Sequence, residues 1–238
     1  SSDVCSSDLV LIAPEQLRAL LTDDVEAITD HGGMFGAVDF YKAMRDKGVK
    51  PIIGCEAYMA PGSRLEKNSH LAHNDYYHLI LLATNLKGYQ NLIKLVSKAY
   101  LEGFYYKPRM DKEILQQHHE GMIGLSGCLS GEVAYLIGQK DLAGATKAAG
   151  EYREIFGKDN YYLELQANGL EHQRIANDGL LDIHKKLGIP LAGTNDCCNS
   201  GKLAEPAATA AKAGPEVAMS DAPSAEQLLG EAVEVQRL

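Results

Sequence analysis

The sequence has little that would place it in or across a membrane. None of its apolar runs approaches the roughly 18 residues that a transmembrane helix needs. The first residues also lack the basic and then apolar order of a secretory signal peptide. We therefore expect a cytoplasmic location and no membrane partner.

A disulfide framework is also lacking. The five cysteines are odd in number and irregularly spaced, at Cys5, Cys55, Cys128, Cys197 and Cys198. This usage is typical of a reducing compartment. We expect thiols that are free or that bind a metal ion.

Basic residues are not in excess. The formal net charge is -9 and the isoelectric point is near 5.4, which argues against a broad phosphate-binding surface. Any contact with nucleic acid must then be local or lie outside this chain. With 238 residues, of which 45% are hydrophobic, the chain can still bury a full core.

Short apolar runs alternate with helical patterns along the middle of the chain. The expected strands span Val25 to Thr29, Pro51 to Tyr58, His78 to Ala83, Gly121 to Leu125, Tyr161 to Leu165 and Ile189 to Gly193. Helices are expected to end at Gly48, Gly157 and Gly188, since glycine accepts a left-handed backbone. The alternation predicts an α/β fold whose parallel sheet closes into a barrel. The polar stretch from Pro61 to Tyr77 is expected to form an exposed loop at one rim.

Both ends of the chain break this pattern. Residues 1–9 contain four serines and no apolar periodicity, so we expect them to be foreign to the fold. Residues 197–238 are rich in alanine and interrupted by Pro206, Pro215 and Pro223, so we expect a disordered tail. The folded domain is therefore expected to span residues 10–196.

Several side chains that can bind metal follow or begin the expected strands. They combine imidazole, carboxylate and thiol groups, and they are His31, Glu56, His78, Cys128 and Asp196, with Asp30 beside them. Strand ends are where ligand-binding side chains converge in α/β folds. This mixture suits zinc, manganese or iron, either to activate a water or as a structural site.

Taken singly, each of these residues has an ordinary explanation. Asp30 can cap the next helix, and Glu56 can be a solvated loop charge. A buried histidine is more often a hydrogen-bonded core residue, and Cys128 can be a small apolar filler. His78 fits least well, because it begins its strand instead of ending it. The prediction of a site depends on all of them together.

Five segments resemble the polymerase and histidinol phosphatase (PHP) domain found in the family of bacterial DNA polymerase III alpha subunits. They are TDHGGMFGAVDFYKAM, GVKPIIGCEAYMAPGSRL, YYHLILLATNLKGYQNLIKLVSKAYLEGFYYKPRMD, EGMIGLSGCLSGEV and YYLELQANGLEHQR. The part GYQNLIKLVSKAYLEGFYYKP is not shared by the free-standing phosphatases of the superfamily. The resemblance covers about Val25 to Asp196.

The resemblance implies a distorted (β/α)7 barrel, mostly parallel, with a metal cluster at one mouth. It assigns the metal positions to His31, Glu56, His78, Cys128 and Asp196, and less securely to Asp30 and Cys198. The family's first strand, with its His-x-His motif, is missing here, because residues 1–9 stand in its place. The family's Asp-x-His pair is Asp196-Cys197-Cys198 in this chain. We therefore expect an incomplete site that holds zinc or manganese, at most in part.

The resemblance also implies a role in DNA replication. The longer family protein is a DNA-directed DNA polymerase, a nucleotidyltransferase whose magnesium site and DNA contacts lie in domains absent from this chain. Its partners include the proofreading exonuclease and other holoenzyme subunits. We expect this part to be a scaffold, and we assign no catalytic residue. A metal-dependent phosphoesterase acting on DNA 3′ ends and a pure protein-interaction module are the alternatives.

Overall fold

The computed structural model describes residues 25–67, 76–166 and 169–194. Its strands are β1 (Val25–Ile28), β2 (Lys50–Met59), β3 (Tyr77–Ala83), β4 (Phe104–Tyr105), β5 (Lys107–Met110), β6 (Met122–Leu125), β7 (Tyr161–Gln166) and β8 (Leu191–Thr194). Its helices are α1 (Ala37–Asp46), α2 (Leu86–Leu101), α3 (Lys112–His118), α4 (Glu132–Gly138), α5 (Leu142–Phe156) and α6 (Glu171–Leu187). The expected α/β class is confirmed.

The strands form one sheet that curls into half a barrel. Its order is β4-β5-β2-β3-β6-β7-β8, and β1 pairs with β2. Parallel pairing joins β1 to β2, β2 to β5, β6 to β7 and β7 to β8. This agrees with a distorted barrel of mostly parallel strands. The expected loss of the family's first strand concerns residues before Val25, which lie outside the described residues.

Strand β3 departs from the parallel pattern expected from the βα alternation. It runs antiparallel to both of its neighbours, β2 and β6. A parallel return needs a crossover of a dozen or more residues, usually a helix. The described residues between β2 and β3 form no helix. The beginning of β3 therefore lies at the same edge of the sheet as the end of β2.

Two apolar clusters cover the two faces of the sheet. The larger one packs outward-facing residues such as Leu79, Leu81 and Leu163 against the helices. The smaller one lines the inner face, where Ile123, Leu125 and Ala192 meet. Successive strand residues point to opposite faces of the sheet, so every second residue of β2, β3 and β7 points to the inner face.

The described part of the connection after β2 is an exposed loop, as predicted, and one buried residue anchors it. Arg64 is buried, and its guanidinium lies 3.0 Å from an oxygen of Asp111, the residue that caps α3. It also pairs with Glu102 and Glu113 at 2.8 and 3.1 Å. These ion pairs fix Arg64 against the sheet rim, and residues 68–75 of the predicted loop lie outside the described residues.

The glycines expected to end helices all have a positive φ, at Gly48, Gly157 and Gly188. Gly188 adopts the left-handed conformation directly after α6. Gly48 ends α1 in a Schellman turn, in which Gly48 N–H donates to the Arg45 carbonyl at 3.1 Å and Val49 N–H donates to the Met44 carbonyl at 3.0 Å. Gly157 follows α5 with an extended ψ of 167°, so it ends the helix by a different turn. None of the described helices is both long and apolar enough to span a membrane.

Candidate metal centre

Three of the predicted ligands meet at one end of the curled sheet. His31 Nε2 lies 3.2 Å from Glu56 Oε2, and His78 Nδ1 lies 2.7 Å from Glu56 Oε1. One ligand atom from each residue lies within 4.8 Å of the other two. All three side chains are partly buried, with 13 to 14% of their surface exposed. The structure thus brings together side chains from three separate chain segments.

Backbone pairing between the end of β1 and β2 places His31. Glu56 N–H donates to the carbonyl of Asp30 at 3.0 Å, and Gly32 N–H donates to the carbonyl of Glu56 at 2.8 Å. His31 and Glu56 thereby extend the parallel ladder as an isolated bridge. Gly32 has a φ of +63°, and a Cβ there would lie 2.7 Å from the Tyr58 ring. Only glycine fits this turn without strain.

The antiparallel register of β2 and β3 places Glu56 beside His78. Tyr58 is opposite His78, and Glu56 is opposite Ile80. Glu56 and His78 are therefore diagonal neighbours on the inner face. Because β3 runs antiparallel to β2, the beginning of β3 lies beside the end of β2. His78 therefore lies next to the other ligands although it begins its own strand.

Cys128 lies beside this group, on the turn after β6, and contacts one of its members. Its Sγ lies 3.7 Å from His78 Nδ1. The turn is attached to β3, since His78 N–H donates to the carbonyl of Ser130 at 3.0 Å. Gly127 has a φ of +79°, and a Cβ there would lie 3.0 Å from the His78 carbonyl oxygen. The close approach of the two backbones is thus what brings the thiol to the imidazole.

The partners of His78 strongly affect its protonation. Burial acts to lower the pKa of His78, but hydrogen bonds with Cys128 and Glu56 and the charge of Glu56 raise it to about 9. The other described thiol differs. Cys55 points to the opposite face, where burial raises its pKa to about 12. Cys55 is thus a core residue and no ligand candidate.

The remaining candidates are placed differently. The Asp30 carboxylate is not part of the group among the described residues, and its Oδ2 lies close to Gly36 at the beginning of α1. Asp196 and Cys198 lie outside the described residues, which end at Thr194 of β8. Their assignment as ligands therefore stays a prediction.

Sequence reasoning missed Glu164, which lies on the inner face of β7. The Glu164 side chain is 5% exposed, and its carboxylate accepts hydrogen bonds from Gly127 N–H, Gln166 Nε2 and Thr194 Oγ1. Burial raises the pKa of Glu164, and the charge of Glu56 adds to this, while the Thr194 and Gln166 hydrogen bonds lower it. A charged residue within the strand YYLELQ was the available signal.

Aromatic rings form one wall beside the three ligands. Tyr76 stacks on His78 with ring centroids 5.8 Å apart, and Tyr58 packs edge-on against both rings. Lys107 Nζ lies 5.4 Å from the Tyr58 ring centroid. These rings cover one side of the His78 imidazole, and the lysine places a positive charge beside the Tyr58 ring.

The donor set suits a transition metal ion. Two imidazoles and a carboxylate are common ligands of zinc and manganese, and a thiolate adds affinity for zinc. One ligand atom from each of His31, Glu56 and His78 lies within 4.8 Å of the other two, which is close enough for one cation to contact all three. The residues present therefore fit a metal-binding pocket.

Comparison with known proteins gives a family for this chain. Residues 24–168 match the family described as PHP domain. The chain is 49% identical over 176 residues to the DNA polymerase III subunit alpha of Treponema pallidum, which covers 74% of this chain and 15% of that protein. It is 48% identical over 175 residues to the protein of the same name from Thermus aquaticus, covering 73% of this chain and 14% of that protein.

A third relative, the DNA polymerase III subunit alpha of Aquifex aeolicus, is 43% identical over 174 residues, covering 71% of this chain and 15% of that protein. The chain thus spans about 15% of the length of these relatives. The family match extends over more than half of the chain and includes His31, Glu56, His78 and Cys128. The chain belongs to the PHP domain family.

Proposed function

We propose that this chain is the PHP domain of a DNA polymerase III alpha subunit and serves DNA replication as a scaffold within that longer polypeptide. The observation that carries the proposal is an identity of 42–49% to proteins of that name over most of the chain. Identity of this size over about 175 residues favours a shared role over a shared fold alone.

The proposal includes a metal pocket formed by His31, Glu56, His78 and Cys128, with Asp196 as the expected fifth ligand. Zinc or manganese is the preferred ion for this mixture of ligands. When bound, such an ion would supply positive charge and lower the pKa of a bound water. Glu56 would orient both imidazoles, since one of its oxygens contacts each ring.

A scaffold role is preferred to phosphoesterase activity. The relatives reported above are named as polymerase subunits, and the alternative is not favoured by them. In this chain Cys198 also stands where the family resemblance expects a histidine. An altered last ligand is compatible with a metal ion that stabilises the fold. Catalysis needs the full set of protein ligands and, in addition, one coordination position left open for water or substrate.

The proposed partners follow from the same assignment. DNA would be bound by domains downstream of this chain, in agreement with its net charge of -9. The proofreading exonuclease and other holoenzyme subunits are the proposed protein partners.

A domain exchange tests the scaffold proposal. In the Thermus aquaticus protein, the 175 matched residues would be replaced by the corresponding part of this chain. We expect DNA synthesis within a few fold of the unaltered polymerase, and loss of soluble polymerase would contradict the proposal. The isolated chain should release no nucleotide from a DNA 3′ end in the presence of Mn²⁺. If the chain does release nucleotide, Glu56→Gln and the exposed Glu154→Gln decide the source of the activity. Loss of release in Glu56→Gln but not in Glu154→Gln would favour the phosphoesterase instead.

A further inference from the structure

A single buried carboxylate connects three strand ends at the edge of the metal pocket. Glu164 lies on the inner face of β7, opposite Ala192 of β8. Burying a carboxylate is costly unless its oxygens accept hydrogen bonds. Both Glu164 oxygens do so, and among the described residues no basic side chain forms an ion pair with it.

The first connection leads to the turn that carries Cys128. Glu164 Oε2 accepts a hydrogen bond of 3.1 Å from Gly127 N–H. The backbone N–H of Glu164 donates to Ser126 Oγ at 2.8 Å, so the same residue holds the turn twice. Gly127 directly precedes Cys128, so any shift of this amide moves the thiol relative to His78.

The second connection leads to the end of β8. Thr194 Oγ1 donates to Glu164 Oε1, which also accepts from Gln166 Nε2 at 3.0 Å. In the sequence, Thr194 is two residues before Asp196, the expected fifth ligand. One carboxylate therefore contacts the segments next to two different ligand positions.

We propose that Glu164 is a positioning residue of the metal pocket, which fixes the Cys128 turn and the end of β8 without touching the ion. The inference rests on the metal pocket proposed above. Groups that hold metal ligands in place through hydrogen bonds commonly change metal affinity 10-fold to 100-fold when they are removed. A role confined to stability would instead act on the whole fold.

Glu164→Gln tests this inference in the full 238-residue chain. Glutamine keeps the size of the side chain but offers one acceptor oxygen in place of two, so Gly127 N–H and Thr194 Oγ1 cannot both be accepted. The loss of negative charge also weakens a hydrogen bond from Gly127 N–H that is kept. After metal depletion, we expect Zn²⁺ to bind about 10-fold to 100-fold more weakly in calorimetry. The amides of Gly127 and Cys128 should exchange hydrogen faster, while those of α5 keep their protection. Glu154→Gln, an exposed change on α5, is the matched control.

Two results would overturn the inference. One is a Zn²⁺ affinity equal to that of the control. The other is faster exchange across α5 in step with Gly127, which would mean a general loss of stability. If Glu164→Gln fails to fold, Thr194→Val removes one hydrogen bond to the same carboxylate. It should weaken Zn²⁺ binding by roughly 2-fold to 10-fold, and unchanged affinity there would overturn the inference.

The inference and the proposed metal pocket fail in different ways. His31→Ala identifies the Zn²⁺ bound in the pocket, as distinct from Zn²⁺ bound by other thiols of the chain. If the unaltered chain and His31→Ala bind the same amount of Zn²⁺, the metal pocket is refuted. Exchange at Gly127 then decides by itself whether Glu164 fixes the turn.

Discussion

Glu56 and His78 lie on adjacent antiparallel strands, and their side chains meet diagonally with Glu56 Oε1 2.7 Å from His78 Nδ1. The other Glu56 oxygen contacts His31. Glu56 is therefore the residue through which the β1 end and the beginning of β3 are joined. This relationship makes the pocket sensitive to changes at a single carboxylate.

The stability of the metal-free chain should depend on pH through the protonation of His78. The pKa of His78 is raised from 6.5 to about 9, so the protonated ring stabilises the fold fully below pH 6.5. This stabilisation is lost as the pH rises through 9. We expect the free energy of unfolding to fall by about 3 kcal/mol across this range, from the linkage between pKa and stability. Urea denaturation in the presence of a chelator measures it.

Glu56→Gln should make that decline clearly smaller, since the glutamine keeps the shape but removes the charge that favours protonated His78. Glu154→Gln should leave the decline as it is in the unaltered chain. A pH profile that is the same in Glu56→Gln and in the control would show that Glu56 does not set the protonation of His78.

Arg64→Ala should destabilise the fold strongly. The change leaves Asp111 buried without its partner, and breaking a buried ion pair typically costs about 3–5 kcal/mol. Arg174→Ala is the matched control, because its pairs with Glu171 and Asp178 are exposed to solvent and contribute little to stability. Chemical denaturation of both variants gives the comparison. Equal losses would mean that Arg64 does not anchor the connection after β2.

Two glycines in helices should respond to alanine in opposite directions. A Cβ at Gly88 of α2 would lie 1.7 Å from the carbonyl oxygen of Gly121, so Gly88→Ala requires the helix and the loop before β6 to separate. A Cβ at Gly150 of α5 meets nothing within 4 Å. We expect Gly150→Ala to raise the free energy of unfolding by up to about 1 kcal/mol. Gly88→Ala should lower it by more than about 2 kcal/mol.

Thermal unfolding of the two alanine variants is the measurement. A melting temperature that rises in Gly88→Ala would contradict the close packing of α2 against residue 121.

Much of the sheet could be predicted from the sequence, because its core strands are short apolar runs between polar segments. All six expected strands are present, from β1 to β8. The short strands β4 and β5 were not predicted, since Phe104–Tyr105 and Lys107–Met110 are too short for a periodic signal. The direction of β3 was also missed, because strand direction depends on the connection and leaves no mark on the alternation of residues.

The ligand residues that lie at strand ends were predictable from the sequence. The residues that hold them in place through long-range contacts were less so. His31 and Glu56 follow that rule directly. His78 fits it only when β3 is known to be antiparallel. Glu164 and Arg64 could not be placed, because their roles depend on partners 30 to 49 residues away in the chain. Single-residue patterns carry no information about such contacts.

The central claim is that His31, Glu56 and His78 form one metal pocket. Calorimetric titration of the metal-depleted chain with Zn²⁺ tests it most directly, using His31→Ala beside His172→Ala, a histidine exposed on α6. We predict that His172→Ala binds Zn²⁺ as the unaltered chain does. His31→Ala should bind it at least about 10-fold to 100-fold more weakly. Equal Zn²⁺ affinity and stoichiometry in all three proteins would contradict the claim.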